Sequence, residues 1–364
     1  MFKKAFIILF AFFLQFNSSE FAKAEAKICA ISNSFSQMFS GMERSRNSRY
    51  PFELAFNHFK KPHVATYVYN SAATDLDLIN KLKTAVHDGC KVILGFYISR
   101  ECLLVGPILK ENKVVGFSPG CAHNRINEYF PYLMTAVPSL ESYLKTVSDY
   151  LNGREEKIFV FYQPSDVFSR ISYAELRKNV NKEIVEIKID RSGRALEENF
   201  PEISTTKNLY VFLTYPLTSL GMLGSLDAKK LVGKGSIIVG SSSWAFDQEL
   251  LAKNKNLLKK ADSVMLPGFY SEKKARAKLP NGKTINETLQ DPSPPMVALL
   301  AYDAAVASLM CGSEVKDDFQ ASKFVSCLRR LNYNGLTGVM KYSENSSFAV
   351  RDIEMLPLDV SHLK

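Results

Sequence analysis

The chain has 364 residues, 46% of them hydrophobic and 23% charged, with a formal net charge of +9. That balance excludes a disordered or fibrous chain and leaves room for two globular domains. Nor is the basic excess a nucleic-acid footprint. The lysines fall as scattered pairs (Lys60-Lys61, Lys229-Lys230, Lys259-Lys260, Lys273-Lys274) with no aromatic residues interleaved.

The N-terminus has the make-up of a secretory signal. Met1-Phe2-Lys3-Lys4 is basic, Ala5 to Phe16 is almost wholly apolar, and small residues follow at Ala22, Ala24 and Ala26. The apolar run is short for a bilayer span. Loss of residues 1–26 removes three lysines and two glutamates, so the net charge becomes +8, and it keeps all six cysteines. Cys29 follows Ala26-Lys27-Ile28, which is no lipidation box, so a soluble exported protein is expected. An even cysteine count in an oxidising compartment predicts disulfides. Cys102 with Cys121 and Cys311 with Cys327 are placed to pair, but the connectivity stays open at this point. No C-x-x-C occurs and no histidine has zinc-ligand spacing, so neither metal nor cofactor is expected.

Along the chain, short apolar runs alternate with helical spacing. Ile28 to Ser32 reads as a strand, Ser34 to Arg49 as a polar loop, Tyr50 to Phe59 as a short helix, and Val64 to Tyr69 as a strand. Leu76 to His87 is helical. Lys91 to Gly95 reads as a buried parallel strand, and a helix begins near Arg100 with Ser99 as its N-cap. Val114 to Phe117 is a strand that breaks at Ser118-Pro119-Gly120; Leu133 to Val137 is another, and Ser139 caps a helix from Leu140 to Leu151. Strands follow at 158–161, 184–189, 209–213, 236–239 and 263–266, with helices at 166–180, 220–231 and 247–260 between them. A lysine- and proline-rich stretch from Ser271 to Pro295 reads as a surface loop. Pro294 then opens an apolar helix through Met310, and Phe319 to Leu331 is amphipathic. The tail changes character: Gly338 to Tyr342, a turn at Asn345-Ser346, and Phe348 to Val350 form an antiparallel hairpin.

This alternation predicts α/β architecture with doubly wound parallel sheets. Ligands in such sheets sit at the carboxyl edge of the strands, where helix N-termini favour anions. Ser99 and Ser118 stand at that edge on neighbouring strands and suit a small anion. Ser241-Ser242-Ser243 and Trp244 follow a strand in the same way, with Trp244 able to face either a ligand or a core. His123 is read as a surface histidine, and Asp303, on an apolar helix, as satisfying nearby donors.

The order strand, G-x-x-x-S, helix, strand, S-P-G, then strand with a Pro-Ser cap resembles the type I periplasmic substrate-binding proteins of branched-chain amino acid ABC transporters. The likeness runs from Ile28 to Leu358, through Asp88-Gly89-Cys90 to Ser99, Phe117-Ser118-Pro119, Tyr302-Asp303-Ala304, and Tyr333-Asn334-Gly335-Leu336-Thr337-Gly338. The resemblance implies a two-lobed clamp with three crossing hinge segments, each lobe a mostly parallel doubly wound sheet. It places 27–139 plus 268–336 in lobe one and 140–267 plus 337–364 in lobe two. It assigns the ligand carboxylate to Ser99, Ser118, Gly120, Cys121 and Ala122, the last standing where relatives carry a threonine. The relatives' ammonium-holding groups align with Phe168 and with Ser241 to Trp244, which bring Ser242 and Trp244 to the cleft without a carboxylate. Tyr215 aligns with a ligand-contacting aromatic, and Phe269 or Tyr270 with the cleft wall.

The expected function is therefore a monomeric, periplasmic solute-binding protein. It would capture a small anionic metabolite, an amino acid or organic acid, and deliver it to an ABC permease in the inner membrane. An exported enzyme is the first rival, but G-x-S-x-G, H-E-x-x-H and Walker-type loops are all missing from the sequence. The second is a ligand-sensing or degenerate clamp that serves as a periplasmic protein-interaction module.

Overall fold

The computed structural model describes residues 26–33, 45–61, 63–196, 207–269, 282–284, 287, 296–315, 318–361 and 363. Residues 1–25, most of the loop from Ser34 to Arg49, Tyr270 and nearly all of 271–295 lie outside the described residues.

Two sheets organise the chain. The first contains β1 (Ala26–Asn33), β2 (Val64–Ala72), β3 (Cys90–Leu94), β4 (Val115–Ser118) and β5 (Leu133–Thr135) in the order β2-β1-β3-β4-β5, all parallel. Its helices are α1 (Ser45–His58), α2 (Asp75–His87) and α3 (Ser99–Glu111). The inner strands β1, β3 and β4 read as mostly apolar runs because both faces are covered, whereas the edge strand β2 leaves Thr66, Tyr67 and Asn70 exposed. Ile28 and Ala30 enter one core cluster, whereas Cys29 and Ile31 enter another on the opposite face.

After α4 (Leu140–Asn152) the second sheet begins, with β6 (Lys157–Tyr162), α5 (Val167–Asn179), β7 (Ile184–Lys188), β8 (Asn208–Phe212), α6 (Pro216–Ala228) and β9 (Ile237–Val239). The short helices α7 (Gln248–Lys253) and α8 (Lys255–Leu258) lead to β10 (Ser263–Gly268). The chain then returns through α9 (Met296–Met310) and α10 (Ala321–Arg330). It ends in β11 (Tyr333–Gly335), β12 (Gly338–Tyr342), β13 (Ala349–Val350) and β14 (Glu354–Pro357). The second sheet has the order β14-β10-β9-β8-β6-β7, parallel except for β14 against β10. Alternation again serves two faces: Ile158 and Val160 join the cluster shared with the first sheet, and Phe159 and Phe161 pack on the outer side. α9 is apolar all round and buried from Val297 to Leu309, an interior helix seated against α1, β3 and β4.

Three disulfides form. Cys29–Cys90 joins β1 to β3, Cys102–Cys121 joins α3 to the loop after β4, and Cys311–Cys327 ties the end of α9 to α10.

The structure differs from several sequence expectations: α1 begins at Ser45, inside the stretch read as loop up to Arg49 and before the expected Tyr50. The helix expected over 247–260 is two, because Asn254 leaves helical geometry and its side-chain amide donates to the Leu250 carbonyl at 2.9 Å. α6 starts four residues before the expected Leu220, at Pro216, since a proline needs no helical acceptor in the first turn. β11 and β14 are additional antiparallel strands whose three- and four-residue lengths carry too little period to be read. Finally, His123 is buried: its Nδ1 accepts from the Arg125 amide at 3.1 Å, and burial lowers its pKa.

Candidate ligand cleft

β3 and β4 carry the first edge. At Gly95 the backbone turns with φ +134°, and a Cβ there would lie 2.4 Å from the Ile31 carbonyl, so only glycine fits. After Phe96 the chain enters α3, with Ile98 in extended N-cap geometry and Ser99 as the first helical residue. Ser99 is thus not the cap expected of it. The buried Glu101, three residues beyond the cap, accepts from the Tyr97 amide at 2.9 Å and the Ile98 amide at 3.5 Å. That carboxylate does the capping and suits the positive end of the helix. The Ser99 hydroxyl instead accepts from the amides of Ala122 and His123 at 3.2 and 3.1 Å, which leaves its own proton to donate.

Ser118 knits the neighbouring loop. Its hydroxyl donates to the Phe96 carbonyl at 2.6 Å and accepts from the Gly120 and Cys121 amides at 3.1 and 2.9 Å. Gly120 packs its backbone on Tyr97, where a Cβ would meet the carbonyl at 2.5 Å. Cys121 is fully buried in its disulfide, and the Ala122 carbonyl accepts from the Leu140 amide at 2.6 Å. The structure therefore brings Ser99, Ser118, Gly120, Cys121 and Ala122 together, but satisfies most of their polar groups among themselves. The Ser99 proton and the Ser99 and Arg100 amides, first in α3 and without an acceptor within the helix, are the donors left at this edge.

The second edge is aromatic. Asp166 caps α5 by accepting from the Ser169 amide at 2.7 Å, which sets Phe168 in the first turn. Tyr215 precedes Pro216 at the start of α6, and its ring stacks on Phe168 with centroids 5.4 Å apart. Burial raises the pKa of the Tyr215 hydroxyl; the Asp166 and Glu101 carboxylates push the same way and Arg100 opposes them. Arg100 and Glu101 belong to α3 of the other edge, so the charges of that helix reach the Tyr215 hydroxyl.

Ser242 opens a short 3-10 turn and, with Phe168, Tyr143 and Pro267, lines a cavity of about 10 Å3, room for one water. Its neighbours Ser241 and Ser243 are buried and bond each other at 2.6 Å, with Ser241 donating to the Thr214 carbonyl. Of the two places open to Trp244, the structure takes the core. The ring is fully buried against Phe212, with Nε1 donating to Ser219 at 3.3 Å. Phe269 lies on the chain that returns between the sheets, under the Arg351 guanidinium at 4.5 Å from its ring centre.

Sequence reasoning missed Glu101 and Arg351. Glu101 carried a signal, a glutamate three residues after a helix cap. Arg351 carried none, because only tertiary structure buries it. Asp303 behaves as expected: it is fully buried and accepts from the Leu336 and Thr337 amides at 2.8 and 2.7 Å and from the Thr337 and Tyr333 hydroxyls.

No protein-family model matches the chain, and no curated protein sequence matches it. Solved structures do. A leucine-binding protein from Thermotoga maritima is similar at 14% identity with a TM-score of 0.66, over 91% of this chain and 97% of that one. A branched-chain amino acid transporter substrate-binding protein from Streptococcus pneumoniae, in complex with isoleucine, is 12% identical with a TM-score of 0.66, over 91% and 99%. A solute-binding protein of an ABC transporter from R. palustris, in complex with 4-hydroxybenzoate, is 13% identical with a TM-score of 0.70, over 92% of each chain. At such identities the likeness shows the fold: two lobes of mostly parallel sheet, as in type I periplasmic binding proteins.

Proposed function

We propose that the chain is an exported solute-binding protein that closes its two lobes on a small anionic metabolite and delivers it to an ABC permease. In this reading residues 1–26 are removed on export to the periplasm. Lobe one is 27–139 plus 268–336 and lobe two 140–267 plus 337–364, acting as a monomer. Two features support the reading: the Ser99 hydroxyl sits at the N-terminus of α3 beside the Ala122 and His123 amides, and Tyr215, which feels the charges of that helix, stacks on Phe168. Donors at a helix N-terminus suit a carboxylate, and a flat aromatic stack suits an apolar or aromatic body.

Phe168 and Ser241 to Trp244 offer no carboxylate where amino-acid binders hold an ammonium, and a buried ammonium without an acceptor would cost several kcal/mol. A carboxylic acid without an amine, aromatic acids foremost, is the preferred ligand. The R. palustris protein was solved with 4-hydroxybenzoate, which supports this class. Asp166, whose charge is felt at Tyr215, favours a second reading in which an amino acid places its ammonium there.

Small-angle scattering of the mature chain with aromatic acids, aliphatic dicarboxylates and amino acids tests the proposal. Compaction with an acid, accompanied by a raised melting temperature, is the expected result. Compaction with amino acids alone would select the Asp166 reading. A chain that compacts with none of them would be the interaction module and not the carrier.

A further inference from the structure

Three stretches join the two sheets: 136–139 between β5 and α4, the return from β10 through Phe269, and 337–353, which carries the β12–β13 hairpin into β14. One side chain touches all three. Arg351 Nε donates to the Ala136 carbonyl at 2.9 Å, Nη1 donates to the Thr337 carbonyl at 3.0 Å, and the guanidinium plane lies 4.5 Å from the Phe269 ring centre. Its Nη2 is buried without a hydrogen-bond partner among the described residues.

Each of these contacts is fixed from behind. Thr337 is pinned by Asp303, which accepts from both its amide and its hydroxyl. Next to Ala136, the Thr135 carbonyl accepts from the Tyr342 hydroxyl at 3.0 Å, and the Thr135 amide donates to the Ser347 carbonyl at 2.8 Å. Phe269 is backed by Tyr143 of α4, ring centres 6.4 Å apart. A guanidinium placed only to satisfy its own burial would use every donor. This one leaves Nη2 unpaired while its planar fork reaches two backbone carbonyls on separate crossings, a span that a point-charge ammonium cannot reproduce.

We propose that Arg351 is the bolt of the hinge, setting the angle at which the lobes rest by holding the three crossing segments together. The lobes turn about these segments, so a rotation that shifts one crossing against another must break a contact of Arg351, its bond to Ala136 or its stack on Phe269. Arg351 is a positioning residue: it acts on the cleft through the hinge. The inference rests on the two-lobed arrangement and not on the identity of any ligand.

The test is small-angle scattering of the ligand-free mature chain, wild type against R351M and R351K, with the emission of buried Trp244 reporting that lobe two is folded. R154M, at a lobe-two surface pair with Glu156, is the control. The expected result is a larger radius of gyration and a broader pair-distance distribution in both Arg351 variants, with native Trp244 emission and an unchanged R154M. Scattering curves that superpose on wild type in both variants would overturn the proposal. So would loss of native Trp244 emission in both, which would make Arg351 a general requirement of the core. If R351M alone fails to fold, R351K decides, because lysine keeps the charge and loses the fork. No ligand is added, so failure here leaves the solute-binding proposal standing.

Discussion

On the first lobe the edge facing the cleft is cross-linked: a disulfide joins α3 to the loop after β4, and Ser118 ties three backbone groups of the two loops. On the second lobe no cysteine occurs from residue 122 to 310, and the corresponding edge is held by stacked rings and a buried hydroxyl chain. The two edges offer a ligand different things. The first has committed most of its polar groups to holding a fixed shape and keeps a few helix N-terminal donors, which in the proposed reading orient a carboxylate. The second offers ring faces, which discriminate by shape and area.

The largest effect that sharpens this contrast comes from the disulfides. Loop-closure entropy makes Cys29–Cys90, 61 residues apart, worth about 4 kcal/mol, and Cys102–Cys121, 19 apart, about 3 kcal/mol. Alanine replacement of each pair should lower the unfolding midpoint in that order. Trp244 emission, reporting from the cysteine-free lobe, should follow a separate and less affected transition. A single transition shifted equally for all probes would show that the lobes do not differ in this way.

Next is S118A, which strands the Gly120 and Cys121 amides and costs about 2 kcal/mol in denaturant unfolding. The matching change across the cleft, T214V, removes a hydroxyl whose partner Ser219 also donates to the Thr214 and Tyr215 carbonyls, and should cost less.

The smallest concerns pH. Asp247 of lobe two is buried, its Oδ2 without a hydrogen-bond partner among the described residues, and burial raises its pKa to about 6. Its contribution to stability is therefore present below the ordinary carboxylate value and is lost as pH rises through about 6. D247N keeps the side-chain acceptor for Leu250 and should gain on the order of 1–2 kcal/mol at pH 7.5 but nothing at pH 3.5. Melts at both values check this; an equal gain at both would remove the carboxylate from the account.

The sheets were legible because strands covered on both faces appear as apolar runs such as Ile158 to Phe161, and because Ser139 caps α4 as its position announced. The candidate site was legible only as far as which loops come together. Ser99 and Ser118 do meet at one edge, yet taking Ser99 for the cap hid the signal of Glu101, three residues after Ile98, and with it the turn of the Ser99 hydroxyl toward Ala122. Trp244 was undecidable for a physical reason: the end of a strand borders both cleft and core, and the choice followed from Gly240, whose missing Cβ leaves space for the indole. Arg351 shows the limit most plainly, since its carbonyl partners lie 215 and 14 residues away in the chain.

The most direct test of the carboxylate-facing edge is titration calorimetry of the mature chain with 4-hydroxybenzoate, 4-hydroxybenzamide and leucine, in wild type and S99A. The account predicts saturable binding of the acid, no binding of the neutral amide, and about tenfold weaker binding in S99A from loss of one hydrogen bond to a charged group. Equal binding of acid and amide, or tight binding of leucine alone, would contradict it.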